Sequence, residues 1–414
     1  MLDINFIKDN LEMCKTAAKN KGRVVEWEKL LTLDKTRRKL VKSADDLRAR
    51  RNEVSRLQTD EAKGEGRQLK ESLRGIEEEL RKVEGELDTL LLTVPNVPDK
   101  SVPIGKDASG NVEVRKYGDL PVFDFTPRDH IDLAKKNDLV DFERGAKIGG
   151  FRAYFLKNEA ALMEMGILSY AMQKLMKKGY VPLMPPSIVR DFTLFGNGQF
   201  PWGKDEVYHL EKDDLYLAGT AEVPVTAYYS GEVLNEKDLP KKFVAFSPCF
   251  RRESGSYGKD TKGVYRVHQF NKIEQVIIST AEMGKSLTLL EELLTNAEEI
   301  LQDLQLPYRV LSMCTGDMGE PQVKKYDIEA WMQSRNAYGE TMSDSFMGDF
   351  QARRLKIRYR TKDGKTLFCH TLNNTAIASP RILIPIMENF QMKDGSIRVP
   401  KILVPYVGKD VISR

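Results

Sequence analysis

The sequence predicts an α+β protein in two parts: an N-terminal antiparallel helical coiled-coil hairpin, then a larger domain built on an antiparallel β-sheet flanked by helices. Leu69, Leu73, Ile76, Leu80, Val83, Leu87, Leu90 and Val94 recur at alternating spacings of four and three, the seam of a coiled coil. Downstream, strand-like and helix-like runs are segregated rather than alternating, which favours an antiparallel sheet. Neither a Rossmann glycine fingerprint nor a Walker loop is present.

The hairpin comes first along the chain. Leu33, Leu40, Leu47 and Val54 recur every seven residues, with Leu30 and Ala44 on the neighbouring seam position and Arg37 and Arg51 interrupting it. A first helix from about Glu26 to Gln58 would be roughly 50 Å long at about 1.5 Å per residue. Thr59–Gly66, polar and containing Gly64 and Gly66, is expected to turn the chain so that the two helices zip together. Heptads alone equally suit a dimerisation coil. Against that stand a seam that one chain can satisfy and a basic distal half carrying Arg48, Arg50, Arg51, Lys63, Arg67, Lys70 and Arg74, diluted by Glu53, Asp60, Glu61 and Glu65.

Pro95-Asn-Val-Pro98 ends the hairpin, and the proline-, glycine- and aspartate-rich stretch to about Gly110 reads as a linker. The expected division is therefore 1–110 and 111–414. In the second part, Glu159–Lys178 and Thr280–Leu304 are predicted helices; Lys242–Phe250, Val264–Val276, Leu355–Tyr359 and Ile397–Val404 are predicted strands.

Composition narrows the function. With 65 Lys plus Arg against 61 Asp plus Glu, the chain lacks a uniform basic coat, so a polyanion must meet local patches. Cys14, Cys249, Cys314 and Cys369 stand far apart, which argues against a structural zinc site and a secreted disulfide framework and fits a reducing cytoplasm. No run of eighteen apolar residues suggests a membrane span, and residues 1–20 lack the pattern of a signal or transit peptide.

The richest segment is Phe250–Glu274, FRRESGSYGKDTKGVYRVHQFNKIE. Arg251 and Arg252 precede Glu253, and Arg266, Phe270 and Glu274 return the same chemistries after a loop rich in glycine and lysine. Guanidinium forks match phosphate, and an aromatic ring can carry a base. A charged surface hairpin is the equally simple alternative.

Wording separates the two. Phe250-Arg-Arg-Glu253 with Arg266-Val-His-Gln-Phe270 resembles the second signature motif of class II aminoacyl-tRNA synthetases, in the form used by seryl-tRNA synthetases. Gly219-Thr-Ala-Glu222 resembles that family's amino-acid-binding loop. Cys314–Gly319, Tyr326–Trp331 and Asp349–Arg354 are similar to its other recurring phrases, Asn373–Arg381 to its third motif, and Gly179–Pro186 to its first. The matches span nearly the whole chain, in the family's order.

The resemblance implies the class II catalytic fold in 111–414, a tRNA-binding arm in the N-terminal part, and a homodimer. It implies ATP contacts from Arg251, Arg252, Glu253, Arg266, Val267, Phe270, Glu340, Thr341, Met342, Ser343 and Arg381. Arg251 would meet the α-phosphate and the serine carboxylate, Glu253 and the Val267 backbone the adenine, Phe270 its face, and Arg381 the γ-phosphate. Arg251 and Arg381 are thus the implied catalytic residues. Glu340 and Ser343 would hold Mg²⁺ through ATP, a hard cation suited to carboxylate and phosphate oxygens. No zinc is expected.

The implied serine pocket is Thr220, Ala221, Glu222, Arg251, Glu274 and Thr375. A site built around the substrate hydroxyl rejects alanine by leaving its own polar groups unpaired, a penalty reaching about 10⁴-fold in favourable cases. Where many relatives write Asn-Gly-Ser-Gly, this chain has Asn373-Asn-Thr-Ala376, and Thr375 keeps a hydroxyl. Arg48, Arg51, Lys63, Arg67 and Lys70 would grip the long variable arm of tRNA(Ser), and Lys259 and Lys262 its acceptor end; the resemblance leaves open whether the selenocysteine tRNA is also served. His268 lacks a catalytic context, and Cys369 beside His370 lacks the third partner of a nucleophile triad. Two rivals remain: a ligase that loads a carrier protein, which would lack the long hairpin, and a catalytically silent interaction protein, which would have broken motifs.

Overall fold

The computed structural model describes residues 1–57, 59–256, 260 and 262–414. It comprises two compact units, Met1–Val97 and Pro98–Arg414.

The first unit opens with short helices Ile4–Asp9 and Leu11–Asn20, followed by α1 (Trp27–Val54) and α2 (Asp60–Leu92). The long helices run antiparallel. Leu30, early in α1, shares a cluster with Leu87 and Leu91 late in α2, whereas Arg50, late in α1, reaches Glu65 early in α2 at 2.9 Å. The seam leucines and valines of α2 face inward, with Leu73, Val83 and Leu87 buried. Arg37 breaks the hydrophobic repeat for a local reason. Asp34 is buried, and Arg37 (3.1 Å), Arg38 (3.1 Å) and Lys8 (3.4 Å) compensate its charge.

The turn is shorter than Thr59–Gly66. Thr59 caps α2, its Oγ1 accepting from the amide of Ala62 at 3.1 Å, and Asp60 and Glu61 complement the helix dipole in the first turn. Gly64 and Gly66 are absorbed into the helix, each at a cost of about 1 kcal/mol relative to alanine.

The second unit is organised by an eight-stranded sheet. Its strands are β1 (Val112–Tyr117), β2 (Val181–Leu183), β3 (Lys241–Phe250), β4 (Gln269–Ser279), β5 (Tyr308–Ser312), β6 (Lys324–Met332), β7 (Ala337–Gly348) and β8 (His370–Ser379), in spatial order β1-β5-β6-β7-β8-β4-β3-β2. Every neighbouring pair is antiparallel except β2 with β3. Helices α3 (Asn158–Lys177) and α4 (Met283–Asp303) cover one face. Ile167 and Ala171 of α3 and Leu293, Ala297 and Ile300 of α4 pack there with Ile273, Ile277, Ile328, Phe346 and Leu372 of the sheet. Because side chains alternate along a strand, Lys272 and Glu274 of β4 and Asn373 and Thr375 of β8 are left for the opposite face, where the site forms.

The stretch 98–110, expected as a linker, belongs to the second unit. The amide of Asp99 donates to the Val323 carbonyl (2.8 Å), and those of Thr315 and Gly316 donate to Pro103 and Gly105 (both 2.9 Å). The approach accounts for the glycine in Cys314–Gly319: a Cβ on Gly316 would lie 2.2 Å from the Lys106 carbonyl oxygen.

Other boundaries move for identifiable reasons. The predicted Val264–Val276 strand begins only at Gln269, because the preceding residues form the return of the loop. Leu355 ends a helix, Phe350–Leu355, and the strand is confined to Arg358–Arg360. Ile397–Val404 keeps just Ile397–Arg398 as strand; Pro400 and Pro405 cannot donate to a ladder, and the chain passes into helical turns.

Candidate active site

A cavity of ≈ 260 Å³ opens on the uncovered side of the sheet. Arg251, at the end of β3, Arg266, just before β4, and Arg381, after β8, all line it, although they lie far apart in sequence. Glu253, Val267, Phe270, Glu340, Thr341, Met342 and Ser343 complete the expected nucleotide set along its walls.

Each guanidinium is held. Arg251 lies 5.1 Å from the Phe270 ring centroid, donates from Nε to the Gly219 carbonyl (3.3 Å), and has its backbone amide on the His268 carbonyl (2.9 Å). Arg266 pairs with Glu253 at 2.6 Å. Glu253 adopts φ +55°, a left-handed conformation uncommon outside glycine, at the point where the chain leaves β3 for the loop. Arg381 donates to the carbonyls of Tyr265 and Glu340, both at 3.0 Å. Arg252 points elsewhere: it is exposed, lies 5.9 Å from the Tyr208 ring and does not line the cavity.

Electrostatics register the convergence. Burial opposes ionisation of Glu340, yet the nearby charges of Arg381, Lys325, Arg251 and Arg266 hold its carboxyl below the ordinary range. Such a site is prepared for negative charge. Glu340 and Ser343 also fit a hard cation that takes its other ligands from phosphate and water, as Mg²⁺ does. Among the described residues, no group of three or more His, Cys, Asp or Glu side chains could hold a metal alone.

The expected serine-binding residues meet beside this cavity. Thr220 and Thr375 donate toward Glu274 Oε2 at 3.4 and 3.5 Å, and all three are buried. The Glu222 carboxylate accepts from Gln351 Nε2 (2.8 Å) and Asn373 Nδ2 (2.9 Å), while its backbone amide donates to Thr220 Oγ1 (3.1 Å). Burial, reinforced by the Glu274 charge, pushes the Glu222 carboxyl up to about 7. Ala221 turns its side chain away, packing with Val225, Phe243, Ala245 and Val276.

Of the residues expected to meet tRNA, Arg48, Arg51, Lys63, Arg67 and Lys70 are all exposed on the hairpin. Arg48 pairs with Asp45 (2.9 Å) and Glu77 (2.8 Å), and Lys63 with Asp60 (2.6 Å). Lys262 is exposed on the loop after β3; Lys259 lies outside the described residues.

Comparison with known proteins decides the family. Residues 1–98 match the seryl-tRNA synthetase N-terminal domain, and 206–390 match the class II core domain of the synthetases for G, H, P, S and T. The chain is 46% identical to the serine–tRNA ligase of Deinococcus radiodurans over 99% of this chain and 98% of that protein. It belongs to the seryl-tRNA synthetase family. A seryl-tRNA synthetase from Pyrococcus horikoshii, solved with ATP, superposes with a TM-score of 0.94 at 38% identity, covering 100% of this chain and 99% of that one. The cytoplasmic serine–tRNA ligase of Naegleria fowleri, solved with AMP, gives a TM-score of 0.89 at 32% identity over 100% and 99%. As a family member, this seryl-tRNA synthetase chain carries class II ligase activity: it activates serine with ATP and passes it to tRNA(Ser).

Several residues at this candidate site carry no motif signal of their own in the sequence. Tyr265, Lys272, Gln322 and Lys325 also line the cavity, and Gln351 and Asn373 hold Glu222. Strand alternation could have found Lys272, two residues before Glu274 and hence on the same face. Nothing local marks Gln351, whose helix is brought to Glu222 by the tertiary fold.

Proposed function

We propose that the cavity lined by Arg251, Arg266 and Arg381 binds ATP in a bent form beside the pocket of Thr220, Glu222, Glu274 and Thr375, where L-serine is held. The convergence of three guanidiniums on one cavity carries this reading. Phe270 stacks on the adenine, Glu253 and the Val267 backbone read its edge, Arg251 meets the α-phosphate, and Arg381 takes the γ-phosphate. Glu222 and Glu274 receive the serine ammonium; Thr220 and Thr375 bond its hydroxyl.

The serine carboxylate oxygen attacks the α-phosphorus in line. A new P–O bond forms as the bond to the bridging oxygen of the β-phosphate breaks, and pyrophosphate leaves with that electron pair. Arg251 steadies both the attacking carboxylate and the α-phosphate, so positioning and charge supply the catalysis. Mg²⁺, held through ATP by Glu340 and Ser343, would neutralise phosphate charge. In the second half, a ribose hydroxyl of the terminal adenosine attacks the activated carbonyl and AMP leaves. Arg48, Arg51, Arg67 and Lys70 position the long variable arm through phosphate contacts.

We also read the chain as a cytoplasmic homodimer. Met184 and Ile188, 81% and 51% exposed, flank an apolar hollow with Leu183, Pro185, Pro186 and Phe192 in the region resembling the first motif, as an interface requires. Free Cys14, Cys249, Cys314 and Cys369 suit a reducing compartment. Among the described residues, no helix is long and apolar enough to cross a membrane.

The test is ATP/pyrophosphate exchange with each amino acid, followed by transfer to tRNA. Exchange with serine alone and transfer to a tRNA bearing a long variable arm are expected. Exchange without transfer would point to a carrier ligase, and neither would leave a silent protein.

A further inference from the structure

The pocket assigned to serine already contains an ammonium group. Lys272 is buried, only 4% exposed. Its Nζ pairs with the Glu274 carboxylate, donates to Thr220 Oγ1 at 2.7 Å and lies 3.5 Å from Thr375 Oγ1. Those are the groups on which the substrate reading depends. Lys272 and Thr375 line the nucleotide cavity, whereas Thr220 and Glu274, which Lys272 contacts, do not. The lysine thus stands between the two compartments.

A lysine ammonium and an amino-acid ammonium have the same chemistry, three donors and no acceptor, and they cannot share one small set of acceptors. Withdrawal of Lys272 alone is unfavourable, because it strands a buried carboxylate without compensation. Two exchanges together avoid that penalty. A triphosphate entering the cavity offers oxygens to Nζ from the side lined by Arg251 and Arg381, and serine entering the vacated subsite brings a replacement cation close to Glu274. The four-carbon stem gives Nζ the reach to change partners.

We propose that Lys272 is a specificity-determining plug of the serine subsite. It occupies the subsite in the empty enzyme and passes to the phosphate–carboxylate junction when ATP and serine bind, so that each substrate strengthens binding of the other. The proposal rests on the assignment of Thr220, Glu274 and Thr375 to serine. It adds a selection: a ligand with the serine hydroxyl but no ammonium cannot replace the charge that Lys272 removes.

The test is calorimetric titration of L-serine into the full-length enzyme, alone and saturated with α,β-methylene ATP, which cannot form the adenylate. In the wild type, serine affinity is expected to rise roughly tenfold with the analogue, within the range usual for coupled sites. In Lys272→Met the affinity is expected to be the same with and without it. Equal affinities in the wild type, or full coupling kept in Lys272→Met, would overturn the plug while leaving the site assignment intact. Failure of both serine and the analogue to bind would overturn the assignment itself. Should Lys272→Met fail to fold, a crystal structure of the wild type with analogue and serine decides the matter: Nζ on a phosphate or carboxylate oxygen supports the exchange, and Nζ still on Glu274 rejects it.

Discussion

The guanidinium of Arg381 lies against the ring of Tyr265, 4.3 Å from its centroid, and its Nε donates to the carbonyl of that same residue at 3.0 Å. Arg335 sits 3.8 Å from the same centroid, so the two cations share one ring. Arg335 in turn pairs with Asp260 of the loop after β3. The aromatic ring therefore orients the arginine that we assign to the γ-phosphate, and links it to that loop.

Replacing Tyr265 with leucine removes a partly desolvated cation–π contact of about 1–2 kcal/mol, corresponding to roughly a five- to thirtyfold rise in KM for ATP. Tyr265→Phe keeps the ring and is expected to behave as wild type. Exchange kinetics at varied ATP check this, and an unchanged KM in Tyr265→Leu would remove the positioning role.

Arg251→Ala is expected to lower pyrophosphate exchange by roughly 10²–10³, the usual loss when a charge-stabilising donor is removed from a reacting centre. Arg251 is exposed and contributes little to the core, so the thermal midpoint should hardly move. Arg251→Lys should fail similarly, since an ammonium replaces neither the planar fork nor the contact with Phe270. Activity near wild type in either variant would contradict the adenylation geometry.

Glu222 makes the enzyme pH-sensitive. Its folded carboxyl titrates near about 7 against an ordinary 4.5, raised by burial and then by Glu274, so the folded state holds the proton more tightly between those values. The resulting stabilisation is fully present below about 4.5 and is lost as pH rises through about 7. With Glu222 assigned to the serine ammonium, serine binding is expected to strengthen as Glu222 ionises over the same window. Asp327, also raised to about 7 by burial, adds a similar stability slope. Subtraction of the melting profile of Glu222→Gln from that of the wild type isolates the Glu222 part, and a flat difference would exclude it.

On the hairpin, Arg67 and Lys70 are exposed. Their joint conversion to glutamate should raise KM for tRNA and reduce the salt dependence of tRNA binding by about one unit of slope per lost phosphate contact. Serine-dependent exchange should be unchanged. If aminoacylation also remained normal, the arm would read tRNA elsewhere.

Much of this architecture was legible in the chain. The four-and-three spacing in Leu69–Val94 reflects packing between neighbouring helices, and the burial of Leu73, Val83 and Leu87 follows from it directly. Boundaries depending on remote partners were less accessible. Residues 98–110 have the composition of a linker because glycine permits close backbone approach, and here that approach is to Cys314–Gly319. The helical start at Asp60 turned on one hydroxyl, that of Thr59, rather than on the glycines after it.

Local order along the strands and the wording of the motifs were sufficient for the family, the hairpin and the roster of arginines, because those features are written within a few residues of one another. Which groups share a cavity is a property of strand order: β8 lies between β7 and β4, bringing Thr375 beside Glu274 and Arg381 beside Glu340. The same juxtaposition set the charge balance of the pocket. Burial and neighbouring charge, neither present in an extended chain, raise the Glu222 carboxyl, lower that of Glu340 and place the Lys272 ammonium against Glu274.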